Sequence, residues 1–216
     1  MPRNKYPEET IKKILDVSLK LFLEKGFEQT TVLDIVDNLG GLTRGAFYHH
    51  FKSKEEVLEA IFTTDYAENS PYAAACQANV SNGCERLKLA WKIALRSKIE
   101  NEHQVEVWKF GLSVLSNPRF LAENMKETQK DAEQMAAIMD EGMADSSLKK
   151  GNAKIISELF MLLTGVWMMP AVFPQDKEEM LAKIALIEQI ISGLGYDFID
   201  DEIRDLFIQL VNILNE

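Results

Sequence analysis

An all-α fold in two parts is what this sequence predicts, and three observations predict it. Apolar residues recur at helical spacing through nearly the whole chain. Strand-like alternation is absent, and β-branched residues do not cluster between turn signals. Short helices with closely spaced caps and glycines fill the first part, and longer helices follow a break at Asn69-Ser70-Pro71. With 216 residues the chain can form one large domain or two modest ones, each with its own core. We place the boundary near residue 69, giving a small helix-turn-helix domain over 1–68 and a larger helical domain over 69–216.

The first helix spans roughly Pro7 to Glu24, with Ile11, Ile14, Leu15, Leu19, Phe22 and Leu23 at helical spacing. Gly26 sits where a C-cap glycine belongs, and Phe27 supplies the accompanying apolar contact. Thr30 or Thr31 caps a second helix, about Val32 to Leu39, which Gly40-Gly41 ends. A short third helix runs from near Thr43 to near His50. Ser53 caps the fourth, with Glu56 completing a Ser-x-x-Glu capping box, and Val57, Leu58 and Ile61 carry it to about Glu68. Asn69-Ser70-Pro71 reads as a loop. Further helices are expected near 82–100, 104–116, 118–143, 152–171, 176–193 and 200–214. Asn82-Gly83, Asn117-Pro118, Gly151-Asn152, Pro174 and Gly193/Gly195 punctuate them.

Composition narrows the function classes. Hydrophobic residues at 46% and charged residues at 27% are ordinary for a globular chain. No stretch reaches the roughly 18 uninterrupted apolar residues of a membrane span. The most apolar run, Leu159 to Phe173, is broken by Thr164, Gly165 and Pro170. The N-terminal MPRNKYPEET lacks an apolar signal core, so a cytoplasmic location without a membrane partner is expected. Cys76 and Cys84 fit a reducing compartment and no disulfide framework. Net charge is −10, yet residues 1–54 hold nine Lys/Arg against seven Asp/Glu. An acidic body with a locally basic end suits a protein that presents one end to a polyanion.

The third helix is the candidate DNA reader. Ile35 and Val36 face inward on the supporting helix, Gly40-Gly41 turns the chain at positive φ, and Leu42 anchors the turn. Thr43 caps the short helix and places its hydroxyl at the DNA-facing end. Arg44 projects from the first turn and can fork onto a guanine edge. Gly45 and Ala46 are small, which lets the helix approach the groove floor. Phe47 and Phe51 point back into the core, while Tyr48 and His49 face outward toward phosphates. Lys52, Lys54 and Thr31 complete the DNA-facing set, Lys54 at the start of the next helix, where the dipole also favours a phosphate. The plain alternatives are a cap-only Thr43, a packing Tyr48 and a solvated Lys52. Neighbouring His49 and His50 point about 100° apart on a helix and do not share a metal ion.

The stretch "ILDVSLKLFLEKGFEQTTVLDIVDNLGGLTRGAFYHHFKSKEEVLEAI" resembles the DNA-binding domain of the tetracycline-repressor (TetR) family. The resemblance rests on Leu21-Phe22, Gly26, Thr31, Ile35-Val36, Gly41, Thr43, Gly45, Phe47-Tyr48, His50-Phe51 and Ser53-Lys54-Glu55, at the family's spacing. It covers roughly the first quarter of the chain. Val36 replaces the usual alanine, and Gly40-Gly41 is one residue longer than the common turn, which re-aims the helix if the geometry is not compensated. The resemblance implies an all-α homodimer that binds a near-palindromic operator, most often as a repressor. It also implies a small-molecule effector in the C-terminal domain that changes the spacing of the two recognition helices. Half-sites about 34 Å apart would match the two-fold symmetry.

Beyond residue 69 no motif repeats that specificity. Trp91, Trp108, Phe120, Met135, Met139 and Trp167 are the candidate lining of an effector pocket, with His103 and Gln104 as orienting polar groups. For the methionine stripe Met135, Met139 and Met143, helix core is the stronger reading. Leu159, Phe160, Leu162, Leu163, Val166 and Trp167 exceed one core-facing stripe and are expected to join an intersubunit four-helix bundle. Asp200-Asp201-Glu202 reads as a helix N-terminus, not a metal site. No catalytic or cofactor motif stands out, so a non-enzymatic regulator without metal or cofactor is expected. An activator, a regulator controlled by a protein partner, and an enzyme with a vestigial helix-turn-helix are the alternatives the residues leave open.

Overall fold

In this computed structural model, residues 7–68, 70–100 and 102–215 are described. Arg3 and Lys5 of the basic end, and Asn69 of the expected loop, lie outside the described residues. Among the described residues the fold is all-α. The chain divides into two compact units, Met1–Glu68 and Asn69–Glu216.

The first unit holds α1 (Pro7–Lys25), α2 (Val32–Asn38), α3 (Arg44–His50) and α4 (Lys54–Glu68). α1 lies against α4 and α2, and α2 against α3. Ile14 and Phe22 from α1, Ile35 from α2, Leu39, Phe47 from α3, and Val57 and Leu58 from α4 are all but excluded from solvent. Each such side chain contributes about 1.5–3 kcal/mol of burial. α1 ends because Gly26 takes φ +85° while its N–H closes on Phe22 O at 2.9 Å. The Phe27 ring then meets Phe22 edge-on at 5.1 Å. Of the two candidate caps, Thr31 does the capping: its hydroxyl accepts from Asp34 N. Thr30 is buried, and its hydroxyl donates to Gly26 O at 2.8 Å and Leu21 O at 3.2 Å. The box expected at the head of α4 forms only by half. Ser53 Oγ accepts from Glu56 N, but the Glu56 carboxylate reaches past Ser53 to Lys52 N at 2.7 Å.

The second unit comprises α5 (Pro71–Gln77), α6 (Gly83–Arg96), α7 (Glu102–Val114), α8 (Pro118–Ala144), α9 (Ala153–Leu162), α10 (Lys177–Gly193) and α11 (Asp201–Leu214). α8 packs on α6 and α9, and α11 packs on α6 and α10. α5 corrects the sequence reading, which took Ser70-Pro71 for a loop. Ser70 is an N-cap whose hydroxyl accepts from Ala73 N, and Pro71 opens the helix where its missing N–H costs nothing. α6 stops at Arg96, short of residue 100. The helix expected over 152–171 leaves the α path at Leu163 and closes with a π turn, Leu163–Trp167. Thr164 bonds Phe160 O through its hydroxyl, and the backbone of Gly165 lies against Thr128 of α8. No helix among the described residues is long and apolar enough to cross a membrane. α9 and α10 bury one face and leave apolar residues on another: Ile155 is 61% and Leu162 54% exposed on α9, and Leu186 is 44% exposed on α10.

Candidate nucleic-acid interface

The turn between α2 and α3 sets the site. Leu39 ends α2 fully buried, its N–H bonded to Val36 O at 3.1 Å. Gly40 and Gly41 follow at φ +61° and +98°, two successive left-handed residues that only glycine adopts freely. Leu42, expected to anchor the turn, is only half-buried, so Leu39 is the firmer anchor. Thr43 then caps α3 by accepting from Ala46 N at 3.2 Å.

α3 is two-sided. Phe47 is fully buried and Phe51 nearly so, their rings 6.2 Å apart, and these fix the helix to the core. Thr43, Arg44, Gly45, Tyr48 and His49 are exposed on the other side, and Ala46 is half-buried between the two sides. Arg44 and Tyr48 stand one turn apart, and the guanidinium lies 5.5 Å from the Tyr48 ring centroid. A Cβ on Gly45 would meet nothing nearer than Thr43 Oγ1 at 3.8 Å, so the space above it is open. The His49 and His50 rings touch edge-on at 5.2 Å. Among the described residues, no group of three or more His, Cys, Asp or Glu side chains is placed to hold a metal ion.

Two members of the DNA-facing set have partners within the protein that compete with that role. The Thr31 hydroxyl accepts from Asp34 N at 3.1 Å and donates to its carboxylate at 2.6 Å. The same carboxylate accepts from Thr31 N and from Lys25 Nζ at 2.9 Å. The Thr31 hydroxyl, followed by Lys25, holds the Asp34 carboxyl well below the usual carboxylate range. A phosphate contact from Thr31 therefore competes with this pairing. Thr-x-x-Asp is itself a capping-box spacing, so the signal was in the sequence.

Lys54 has a stronger competing use. Its ammonium donates to Phe27 O at 2.7 Å and Glu28 O at 3.2 Å, and sits 4.4 Å over the Phe27 ring. It fastens the start of α4 to the turn after α1. Replacing Lys54 with Met should cost the isolated protein about 1–3 kcal/mol. The dependence of duplex binding on salt should stay as it is, whereas a released phosphate contact would lower its slope by about one. Thermal melts together with binding titrations over a salt series separate the two roles. Lys52 is exposed.

In the second unit, Trp91, Met135 and Met139 lie buried in one core, with Trp108 and Trp167 packed half-buried against it. Trp91 is wedged edge-on against Phe160 at 4.8 Å and tilted on Phe207 at 6.0 Å. Met135 and Met139 are fully excluded from solvent, and Ser157 donates to Met139 Sδ. They are core residues with no open side. Phe120 is buried on the first turn of α8. His103 and Gln104 are exposed on the first turn of α7. Among the described residues of this unit, sequence reasoning missed the buried polar atoms without partners Trp91 Nε1, Asn124 Oδ1, Glu127 Oε2 and Gln175 Oε1. No local pattern marks them, because their isolation is a property of tertiary packing.

Comparisons with known proteins agree on the first unit. The sequence profile of "Bacterial regulatory proteins, tetR family" matches residues 14–61. The transcriptional repressor KstR2 of Rhodococcus jostii is 45% identical over 49 residues, 23% of this chain and 24% of its own. The matched segment thus spans about a quarter of the length of such relatives. Likeness in structure extends further. A TetR/AcrR-family transcriptional regulator from Thermobifida fusca superposes with a TM-score of 0.59 at 26% identity, over 87% of this chain and 97% of that one. The SmeT–triclosan complex superposes with a TM-score of 0.62 at 20% identity, over 94% of this chain and 91% of that one, a likeness of fold.

Proposed function

We propose that this chain, whose residues 14–61 match the tetR-family profile, is a DNA-binding transcriptional regulator, and specifically a ligand-responsive repressor acting as a homodimer on a near-palindromic operator. The observation that carries the DNA-reading part is the division of α3. Phe47 and Phe51 lock its rear, and Arg44, Gly45, Tyr48 and His49 are exposed on its front. Thr43, Arg44, Gly45, Ala46, Tyr48 and His49 form the reading edge, and Lys52 is a backbone contact beside it. The apolar residues left exposed on α9 and α10 support an intersubunit helix bundle. The likeness in fold to the SmeT–triclosan complex supports a small-molecule effector in the second unit. Such an effector acts only through its different affinity for the DNA-binding and released geometries.

Selection of bound duplexes from a random pool tests this. The enriched site should be a two-fold repeat with half-site centres about one helical turn, 34 Å, apart. In the same assay Arg44→Ala should lose about 1–3 kcal/mol and relax one base position in each half-site. An unchanged site preference would remove Arg44 from base reading. Enrichment of a single half-site would remove the dimer.

A further inference from the structure

An exposed guanidinium on α3 rests on an aromatic ring that is itself fixed to the core. Arg44 and Tyr48 are one turn apart on α3, and Arg44 Cζ lies over the Tyr48 ring, 5.5 Å from its centroid. Helical side chains lean toward the helix N-terminus, so the Tyr48 ring covers the turn that carries Arg44. The ring is braced in turn: fully buried Phe47 meets it edge-on at 5.5 Å and 89°. Other arginines are held by charge. Arg86, Arg96 and Arg204 of the second unit each meet a carboxylate. Among the described residues, the group that the Arg44 guanidinium meets is the ring.

The difference matters for reading DNA. A carboxylate would occupy the same N–H groups that a guanine edge needs. A ring takes the flat face of a guanidinium and leaves its in-plane N–H groups for the two guanine acceptors. Side-chain freedom lost before binding is not lost again in the complex, so an arginine already in place discriminates better than a wandering one. Resting on the reading of α3 as the DNA-reading helix and of Arg44 as its base contact, we propose that Tyr48 is a positioning residue for base recognition: its ring holds the Arg44 guanidinium in the pose that reads a base pair. The ring, not the hydroxyl, then sets sequence preference, and Phe47 ties that preference to the core of the unit. A phosphate contact, the role expected from the sequence, would come from the hydroxyl and act on every sequence alike.

The test measures the affinity of the full-length protein for the duplex selected from the random pool and for each of its single-base-pair variants. Tyr48→Leu should weaken the preference at the base pair that Arg44→Ala relaxes by about 3- to 10-fold, and at no other position. Tyr48→Phe, which keeps the ring and removes the hydroxyl, should hold that preference within about twofold. On an Arg44→Ala background, Tyr48→Leu should change it no further. Tyr48 is 43% exposed and leucine is a good helix former, so the variant should fold, which a thermal melt checks. A second measurement needs no DNA. In the NMR spectrum of the free protein, the Arg44 side-chain protons should be shifted by the ring in the wild type and in Tyr48→Phe, and should lose that shift in Tyr48→Leu. Equal weakening on every duplex with Tyr48→Leu would make the residue a phosphate contact and overturn the proposal. Equal loss of preference with leucine and phenylalanine, additive losses in the double variant, or an Arg44 signal indifferent to residue 48 would overturn it too. Preferences untouched by Arg44→Ala remove the base-reading role and this one with it. Preferences relaxed by Arg44→Ala but untouched by Tyr48→Leu remove this one alone.

Discussion

Gly45→Leu should leave the protein folded, slightly raise its melting temperature, and abolish specific operator binding. The fold has room for the side chain, because nothing but Thr43 Oγ1 approaches a Cβ at Gly45, at 3.8 Å. Gly45 has ordinary helical φ inside α3, so leucine removes unfolded-state freedom and should add about 0.5–1 kcal/mol of stability. The cost falls wholly on the complex. Gly45 is next to Arg44 on the exposed face of the reading helix, and a leucine there holds the helix away from the base edges. Base contacts carry discrimination, while phosphate contacts survive a small displacement. Specific affinity should therefore fall by about 10³-fold or more toward the non-specific level, with non-specific binding retained. A thermal melt and paired titrations on the selected site and on unrelated duplex read both halves. Retention of specific binding by Gly45→Leu would show that α3 does not approach the groove by this edge.

What the sequence made legible and what it hid divide along a physical line. In the first unit the turns are made by local backbone chemistry. Gly26, Gly40 and Gly41 announce left-handed φ, and Thr31 and Thr43 announce caps, so helix order and outward face followed from spacing alone. α5 was missed although its cue was local, because Ser-Pro signals both a loop and a helix start. The π turn, the Lys54 anchor and the unpaired acceptors of Asn124, Glu127 and Gln175 had no local cue. Each depends on which residue a distant helix brings alongside. Lys54 shows the limit most clearly: helix-terminus electrostatics pointed to a phosphate, and two carbonyls of the preceding turn already hold the ammonium.

Gly83→Ala should strongly destabilise the second unit, against the sign its local position predicts. Gly83 is the first residue of α6, without positive φ, and there alanine ordinarily favours a helix by up to about 1 kcal/mol. The opposing surface reverses that. A Cβ on Gly83 would fall 2.3 Å from Gly142 N, 2.5 Å from Gly142 Cα and 2.9 Å from Glu141 C. These are backbone atoms of α8, so no rotamer change gives room and the helices must part. Parting them also strains the bonds that satisfy the head of α6, Gly83 N to Asp145 Oδ2 at 2.7 Å and Cys84 N to Ser147 Oγ at 2.9 Å. Gly142 cannot retreat, since its own Cβ position is already within 2.7 Å of Leu148. Overpacking of this kind costs about 1–3 kcal/mol, and more where backbone meets backbone. At about 2–4 °C per kcal/mol for a chain of this size, the melting temperature should fall by about 5–10 °C. Gly193→Ala in α10 is the matched control, because nothing lies within 4 Å of its Cβ position. That variant should be neutral or slightly more stable. If both variants melt with the wild type, α6 and α8 do not meet at glycine on glycine, and the register of the second unit's core has to be redrawn.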